Sequence, residues 1–143
     1  MSPFLVRPAL PADYPGIARI QTASPGAAQW PLGDYSNFTV LVALDGAEMV
    51  GFCAWRQTAS DEAELLNLAV VPARRKLGVG MALLEELRQI ARGALFLEVG
   101  AQNVAAAALY RKAGWREVSL RKDYYGQGNN AIVMKISSCY SPH

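Results

Sequence analysis

The sequence predicts an α/β fold of the α+β kind, in which helices flank a mixed central β-sheet within a single domain spanning residues 1–143. Three observations predict it. Periodic segments follow the order β-α-loop-βββ-α-β-α-ββ, and the strand-helix-strand run in the second half implies a mixed sheet. The 143 residues match the usual size of one domain, and 52% hydrophobic with 18% charged residues is enough to bury a core. No internal repeat, linker or low-complexity stretch divides the chain.

"FLVRPA" (4–9) reads as the first strand, and "PADYPGIARIQTAS" (11–24) as a short helix with Asp13 as its N-cap and Pro15 in the first turn. Residues 24–36 are rich in turn formers and read as irregular. "NFTVLVAL" (37–44) and "EMVGFCAWRQ" (48–57) flank Asp45-Gly46 as a hairpin. "EAELLNLAVV" (62–71) is a further strand. From Met81, the residues Leu83, Leu84, Leu87, Ile90 and Ala91 recur at helical spacing, and Gly93 can end that helix. "ALFLEV" (94–99) is an apolar strand carrying one carboxylate. "NVAAAALYRKAGW" (103–115) reads as a helix capped by Asn103 and stopped by Gly114. "REVSLRKDYY" (116–125) and "NAIVMKI" (130–136) close the chain as paired strands.

Composition excludes several functions. A net charge of +2 and a pI near 8.6 are too mild for nucleic acid as the main partner. No apolar run is long enough to span a bilayer, and the N-terminus lacks the basic segment, apolar core and cleavage site of a signal peptide, which points to a cytoplasmic protein. Cys53 and Cys139 have no metal-ligand spacing, and the one histidine, His143, is the last residue. Histidine-dependent hydrolysis and histidine-ligated zinc are therefore disfavoured, and no metal is expected.

The stretch "VVPARRKLGVGMALLEEL" (70–87) carries the chemistry. It joins a strand to a helix through Arg74, Arg75, Lys76, Gly78 and Gly80. A helix N-terminus presents unpaired N–H groups and partial positive charge, and glycines let an anion approach them. The alternative is a surface loop with a tight turn and solvated charges. No Gly-Lys-Ser/Thr follows, and Leu83 stands where a dinucleotide fingerprint has its third glycine, so neither an NTPase nor a nicotinamide site is read here.

"LAVVPARRKLGVGMALL" resembles the acetyl-CoA-binding segment of the GNAT N-acetyltransferases, whose R/Q-x-x-G-x-G/A motif is met by Arg75, Gly78 and Gly80. "LEVGAQNVAAAALYRKAGWREVSLRKDYY" with "AIVMKI" resembles the bacterial ribosomal-protein-alanine N-acetyltransferases, the RimI type. The resemblance covers most of the chain from about residue 37 onward. It implies that acetyl-CoA lies along the backbone of Leu68, Ala69 and Val70. It further implies that the pyrophosphate of coenzyme A is held by Arg75, Lys76, Leu77, Gly78, Val79, Gly80 and Met81.

Alternation in "ALFLEV" puts Glu98 on the same face as Phe96. A carboxylate there has a partner or faces a wet cleft, and an apolar neighbourhood would suit it to act as a general base. A structural hydrogen bond is the alternative, and the resemblance favours the base. Tyr110 matches the family's general acid, or is an aromatic packed under its helix. Asn103 is an ordinary N-cap, to which the resemblance adds contact with the pantetheine arm. Trp30, Tyr124 and Tyr125 would flank the acceptor by resemblance; core packing explains each equally well. Two departures fall on the acceptor side: Gly100 replaces an arginine, and Asn129-Asn130 stands where relatives carry an acidic pair. The acceptor implied is a protein N-terminus, with a small amine (polyamine, amino acid or aminoglycoside) as the alternative and a non-catalytic acyl-CoA-binding module as a third.

Overall fold

The computed structural model describes residues 3–24, 38–124, 126 and 128–139. Trp30, Tyr125 and all but the first residue of the irregular stretch 24–36 lie outside the described residues. Seven strands are present among those described: β1 (Leu5–Pro8), β2 (Thr39–Asp45), β3 (Glu48–Ala59), β4 (Glu62–Val70), β5 (Ala94–Gly100), β6 (Arg116–Arg121) and β7 (Ala131–Ser137). They alternate with helices α1 (Tyr14–Thr22), α2 (Val79–Ile90) and α3 (Val104–Lys112). The strand order is β1-β2-β3-β4-β5-β7-β6. β4 and β5 run parallel, whereas β1–β2, β2–β3, β5–β7 and β6–β7 are antiparallel, so the sheet is mixed as the order of elements predicts.

The described residues fall into two compact units, one from Met1–Arg56 with Leu65–Leu87 and one from Gln57–Glu64 with Arg88–His143. In the first, Met49 to Trp55 of β3 are buried without interruption, which is why that strand reads as a continuous apolar run instead of an alternating one. Ile17 and Ile20 of α1 pack with Val40, Val42, Met49, Phe52, Ala54 and Ala69. Leu83, Leu84 and Leu87 of α2 are buried, as their spacing predicts.

In this unit Asp13 departs from expectation. It stands at the N-cap position of α1, but its carboxylate makes no cap bond there. It turns back to accept from the Leu10 N–H at 2.7 Å and from Arg7 Nη1 at 2.7 Å and Nη2 at 3.1 Å. A guanidinium offers two bonds and a full opposite charge, where a cap amide offers one bond and no net charge. The Arg7 hydrogen bonds hold the Asp13 carboxyl below its usual range.

The second unit is tied together where β4 meets β5. Glu62, Ala63 and Glu64 pair with Ala94, Leu95 and Phe96. Gln57 bridges the approach: its Nε2 donates to the carbonyls of Ala59 at 2.9 Å, Glu62 at 3.0 Å and Arg92 at 2.7 Å. Its Oε1 accepts from the Arg92 N–H at 3.1 Å. Gly93 has φ +81°, and a Cβ there would lie 1.8 Å from the Asp61 carbonyl oxygen, whose partner is the Ala94 N–H. β5 alternates, with Leu95, Leu97 and Val99 buried and Phe96, Glu98 and Gly100 half-buried on the other face. α3 ends as Gly114 predicts, its N–H donating to Arg111 O and that of Trp115 to Tyr110 O. β6 stops at Arg121, four residues before the predicted end, because Lys122, Asp123 and Tyr124 enter a turn in which Asp123 has φ 55°.

Three variants test these features. Gly93→Ala forces a methyl into the Asp61 backbone and a side chain into the left-handed region, and should destabilise the fold by more than about 2 kcal/mol. Gly46→Ala, with φ +63° and nothing within 4 Å, isolates the conformational part and should cost about 1–2 kcal/mol in denaturant unfolding. Asp13→Asn removes a carboxylate whose folded-state pKa is lowered, so its stabilisation is full above the ordinary carboxylate range and is lost as pH falls through the lowered value. The Asn variant should melt below the native protein at pH 7, and the gap should close in strongly acidic buffer.

Candidate functional site

Within the first unit, β4 hands over at Val70 to a 3-10 turn at Pro72–Arg74, pinned by the Val71 N–H on Val50 O at 2.9 Å. Leu68 and Val70 lie half-buried on one face of β4, and Ala69 points into the core. Lys76 adopts φ 66° and Gly78 φ 95°, after which α2 begins at Val79, two residues before the predicted start. The Gly78 carbonyl accepts the first helical bond, from Ala82 N–H at 3.0 Å. The Val79, Gly80 and Met81 amides therefore form the first turn, where no helical carbonyl precedes them to accept.

Gly51 of β3 makes this possible. A Cβ there would lie 2.8 Å from Val79 Cγ1 and 3.0 Å from the Ala69 carbonyl, so the helix start seats directly on the strand. On the outer side, a Cβ at Gly78 would meet nothing within 4 Å, and Lys76, Leu77 and Gly78 are exposed. Open space at Gly78, just before the first-turn amides, fits a phosphate-bearing group such as the pyrophosphate of coenzyme A.

The basic run is less uniform than the sequence implies. Arg74 turns away to Asp45 at 2.5 Å and Glu48 at 3.4 Å, at the β2–β3 hairpin. Arg75 donates from Nε to Val70 O at 3.3 Å and from Nη2 to Ser24 Oγ at 3.4 Å. It thus links the end of β4 to Ser24, two residues beyond α1, and Arg75 and Lys76 are both exposed.

The second unit carries Glu98, Asn103, Tyr110 and Tyr124. Glu98 has the partner that a half-buried carboxylate requires: its Oε1 lies 3.1 Å from Arg121 Nη1. A charged partner is one of the two settings expected for this carboxylate, and it makes the neighbourhood charged instead of apolar. The same guanidinium stacks over the Tyr124 ring, 5.1 Å from its centroid, so Glu98 and Tyr124 are joined through Arg121. One position further along the same face, Lys135 Nζ lies 5.4 Å from the Phe96 ring centroid.

Asn103 is the N-cap predicted for α3, accepting from the Ala106 N–H at 3.3 Å. Tyr110 is buried on that helix, its ring centroid 6.0 Å from that of Trp115. Cys53 is buried and its thiol is pushed up to about 12 by desolvation, so it offers no nucleophile.

Asn129 and Asn130 hold the β6–β7 connection. Asn130 Oδ1 accepts from the Asp123 N–H at 2.9 Å and its carbonyl from Ala101 N–H at 2.8 Å. Asn129 Oδ1 accepts from Gln102 Nε2.

Sequence reasoning missed Arg121 and Gly51. Strict alternation from Arg116, which opposes Lys135, would put Val118 and Leu120 on the Glu98 face and Arg121 on the other. A bulge at Val118 shifts the register, so that Ser119 opposes Val133 and Arg121 opposes Ala131. No residue pattern announces that bulge. Gly51 carried a signal, a glycine inside a buried strand, which marks close approach of another backbone or side chain.

Residues 7–115 match the acetyltransferase (GNAT) family. The chain is 44% identical over 134 residues to the ribosomal protein bS18-alanine N-acetyltransferase of Salmonella typhimurium, covering 87% of this chain and 90% of that protein. It is 41% identical over 109 residues, 71% of each chain, to the Escherichia coli protein of the same name. The crystal structure of the Escherichia coli ribosomal-protein-S18-alanine N-acetyltransferase matches with a TM-score of 0.80 and 27% identity, over 98% of this chain and 97% of that one.

The loop geometry predicts how coenzyme A binding responds to side chains at Gly78. Gly78→Glu places a carboxylate over the first-turn amides and should abolish affinity measured by calorimetry. Gly78→Ala adds a methyl in open space at an unfavourable φ, so it should lose stability but retain binding.

Proposed function

The chain belongs to the acetyltransferase (GNAT) family and is an acetyl-CoA-dependent N-acetyltransferase; on that premise we propose that its acceptor is a protein N-terminus of the ribosomal-protein-alanine type. The observation that carries this reading is the 44% identity across 87% of the chain to a protein named for that acceptor. The proposal takes residues 1–143 as one catalytic domain working in the cytoplasm, where ribosomal proteins are made.

Acetyl-CoA supplies an activated acetyl thioester; the amine forms a C–N bond as the C–S bond breaks. Everything else falls to the chain. Arg75, Lys76, Leu77, Gly78, Val79, Gly80 and Met81 hold the pyrophosphate, while the backbone of Leu68, Ala69 and Val70 and the side chain of Asn103 align the pantetheine and acetyl parts. An α-amino group has a pKa of about 7.7–8.0, so much of it arrives protonated at neutral pH and must lose a proton to attack. Glu98, half-buried and acceptor-only when ionised, takes that proton directly or through water. Tyr110 carries a phenolic hydroxyl that can donate to the departing sulfur. With a phenol pKa of about 10, hydrogen bonding to the thiolate contributes more than full transfer. In this reading Tyr124, held by the Arg121 guanidinium, lines the approach of the acceptor.

One experiment tests both halves. Native protein and Glu98→Gln are incubated with acetyl-CoA and a panel of Ala-first peptides, spermidine and free lysine, and products are read by mass spectrometry. The native protein should acetylate an Ala-first peptide faster than either small amine; the reverse ranking replaces the acceptor with a small amine. Glu98→Gln should keep coenzyme A affinity while turnover falls by about 10²–10⁴-fold, with the deficit shrinking at higher pH as more amine is neutral. Native turnover in that variant returns Glu98 to a structural role.

A further inference from the structure

Glu98 is already in an ion pair before any acceptor arrives, and its partner sits in an unusual setting. Arg121 ends β6, and its guanidinium crosses β7 diagonally to reach a carboxylate on β5 at 3.1 Å. The two side chains stand in adjacent rows of one face: Gly100, Ala131 and Arg121 are register partners in one and Glu98, Val133 and Ser119 in the next, and the small residues of Arg121's own row leave room for its guanidinium to lean across. The same guanidinium has a second docking place, the Tyr124 ring at 5.1 Å. Arg121 is 53% exposed and Glu98 23% exposed, so the pair is neither locked in the core nor fully solvated.

We infer that Arg121 is a displaceable counterion for Glu98: it holds the carboxylate until an acceptor's α-ammonium takes its place, then remains docked on Tyr124. This rests on the reading of Glu98 as the general base. The physical case is an exchange of like for like. Leaving a half-buried carboxylate without a partner is unfavourable, so some cation must attend it in the free protein. An acceptor arrives largely as an ammonium ion, and the same oxygens that hold the guanidinium must receive its proton. An ion pair this exposed is weak, which lets it exchange. Tyr124 lowers the penalty of releasing the guanidinium, because a cation over a ring face keeps part of its electrostatic stabilisation. Arg121 acts through Glu98 and is a positioning residue.

A bystander arginine would lower nothing when removed; a competitor does. Steady-state acetylation of an Ala-first peptide should show acceptor KM falling about two- to fivefold in Arg121→Ala, with kcat and the KM for acetyl-CoA within about twofold of native. Arg121→Lys keeps the cation and should return acceptor KM toward the native value. Arg116→Ala removes a cation from the same face of the same strand without touching Glu98, and should leave all parameters unchanged. On a Glu98→Gln background the Arg121→Ala gain should vanish. An unchanged or raised acceptor KM in Arg121→Ala, while Glu98→Gln remains impaired, overturns the counterion role and leaves the base intact. An equal fall in Arg116→Ala, or a gain that survives on the Gln background, assigns the effect to general surface charge and overturns it too. Native turnover in Glu98→Gln removes the base and the exchange together.

Discussion

Two strands that run the same way cannot be joined by a hairpin, and β4 and β5 are paired in parallel at Glu62–Ala94, Ala63–Leu95 and Glu64–Phe96. The chain must therefore leave the far end of β4 and return to the start of β5, and residues 71–93 make that journey with α2 as the return segment. A helix in that position has its N-terminus just after a strand's carboxyl end, where anions bind in α/β architectures. The strand end, the turn and the glycine loop are consecutive because connectivity makes them so. At the other end of the journey, Gly93 against Asp61 and the four hydrogen bonds of Gln57 decide where β5 starts. The β5 register then decides that position 98, and not 97 or 99, stands on the half-buried face.

Residues whose role is local were legible in the sequence. Asn103 caps α3 because a short amide at that position reaches an amide three residues on. Gly93 and Gly114 stop their helices because both positions require positive φ. Glu98 falls on its face by alternation alone. Residues whose role depends on register or on a distant partner were not. Arg121 reaches Glu98 only through the Val118 bulge, and β7 separates the two strands involved. Arg74 reads as part of a cationic loop until Asp45 and Glu48, from 26 to 29 positions away, are folded beside it. Asp13 reads as a cap until Arg7 offers it a guanidinium. In each case a local rule named the right element and a longer-range charge took the side chain elsewhere.

The same competition takes up several of the chain's 14 basic residues. Arg7, Arg74, Arg111 and Arg121 each sit within 4 Å of a carboxylate among the described residues. The positive field at the glycine loop then rests on backbone amides, Arg75 and Lys76, since Arg74 is paired with Asp45 and Glu48. Amides fixed by a helix keep their direction at no further entropic expense, while a long side chain must be ordered to bind. A loop built this way can select an anion by its shape as well as by its charge.

The neutral pair at Asn129 and Asn130 bears on the acceptor in a different way from its charge. The Asn130 side chain accepts from Asp123 within the β6–β7 connection, while its backbone carbonyl accepts from Ala101 and the Asn129 side chain from Gln102 in the turn before α3. Asp123, held at positive φ, also accepts from the Gly128 N–H at 2.6 Å. Tyr124 follows Asp123 directly, so its ring is placed by a turn whose ends are fastened on both sides. Carboxylates at 129 and 130 would keep the acceptor oxygens but give up the donating amide hydrogens, and would bring two negative charges toward Asp123. Neutral side chains suit a turn whose own acid already supplies its acceptor. What the pair helps to fasten is the turn that carries Tyr124, the aromatic over which the Arg121 guanidinium stacks.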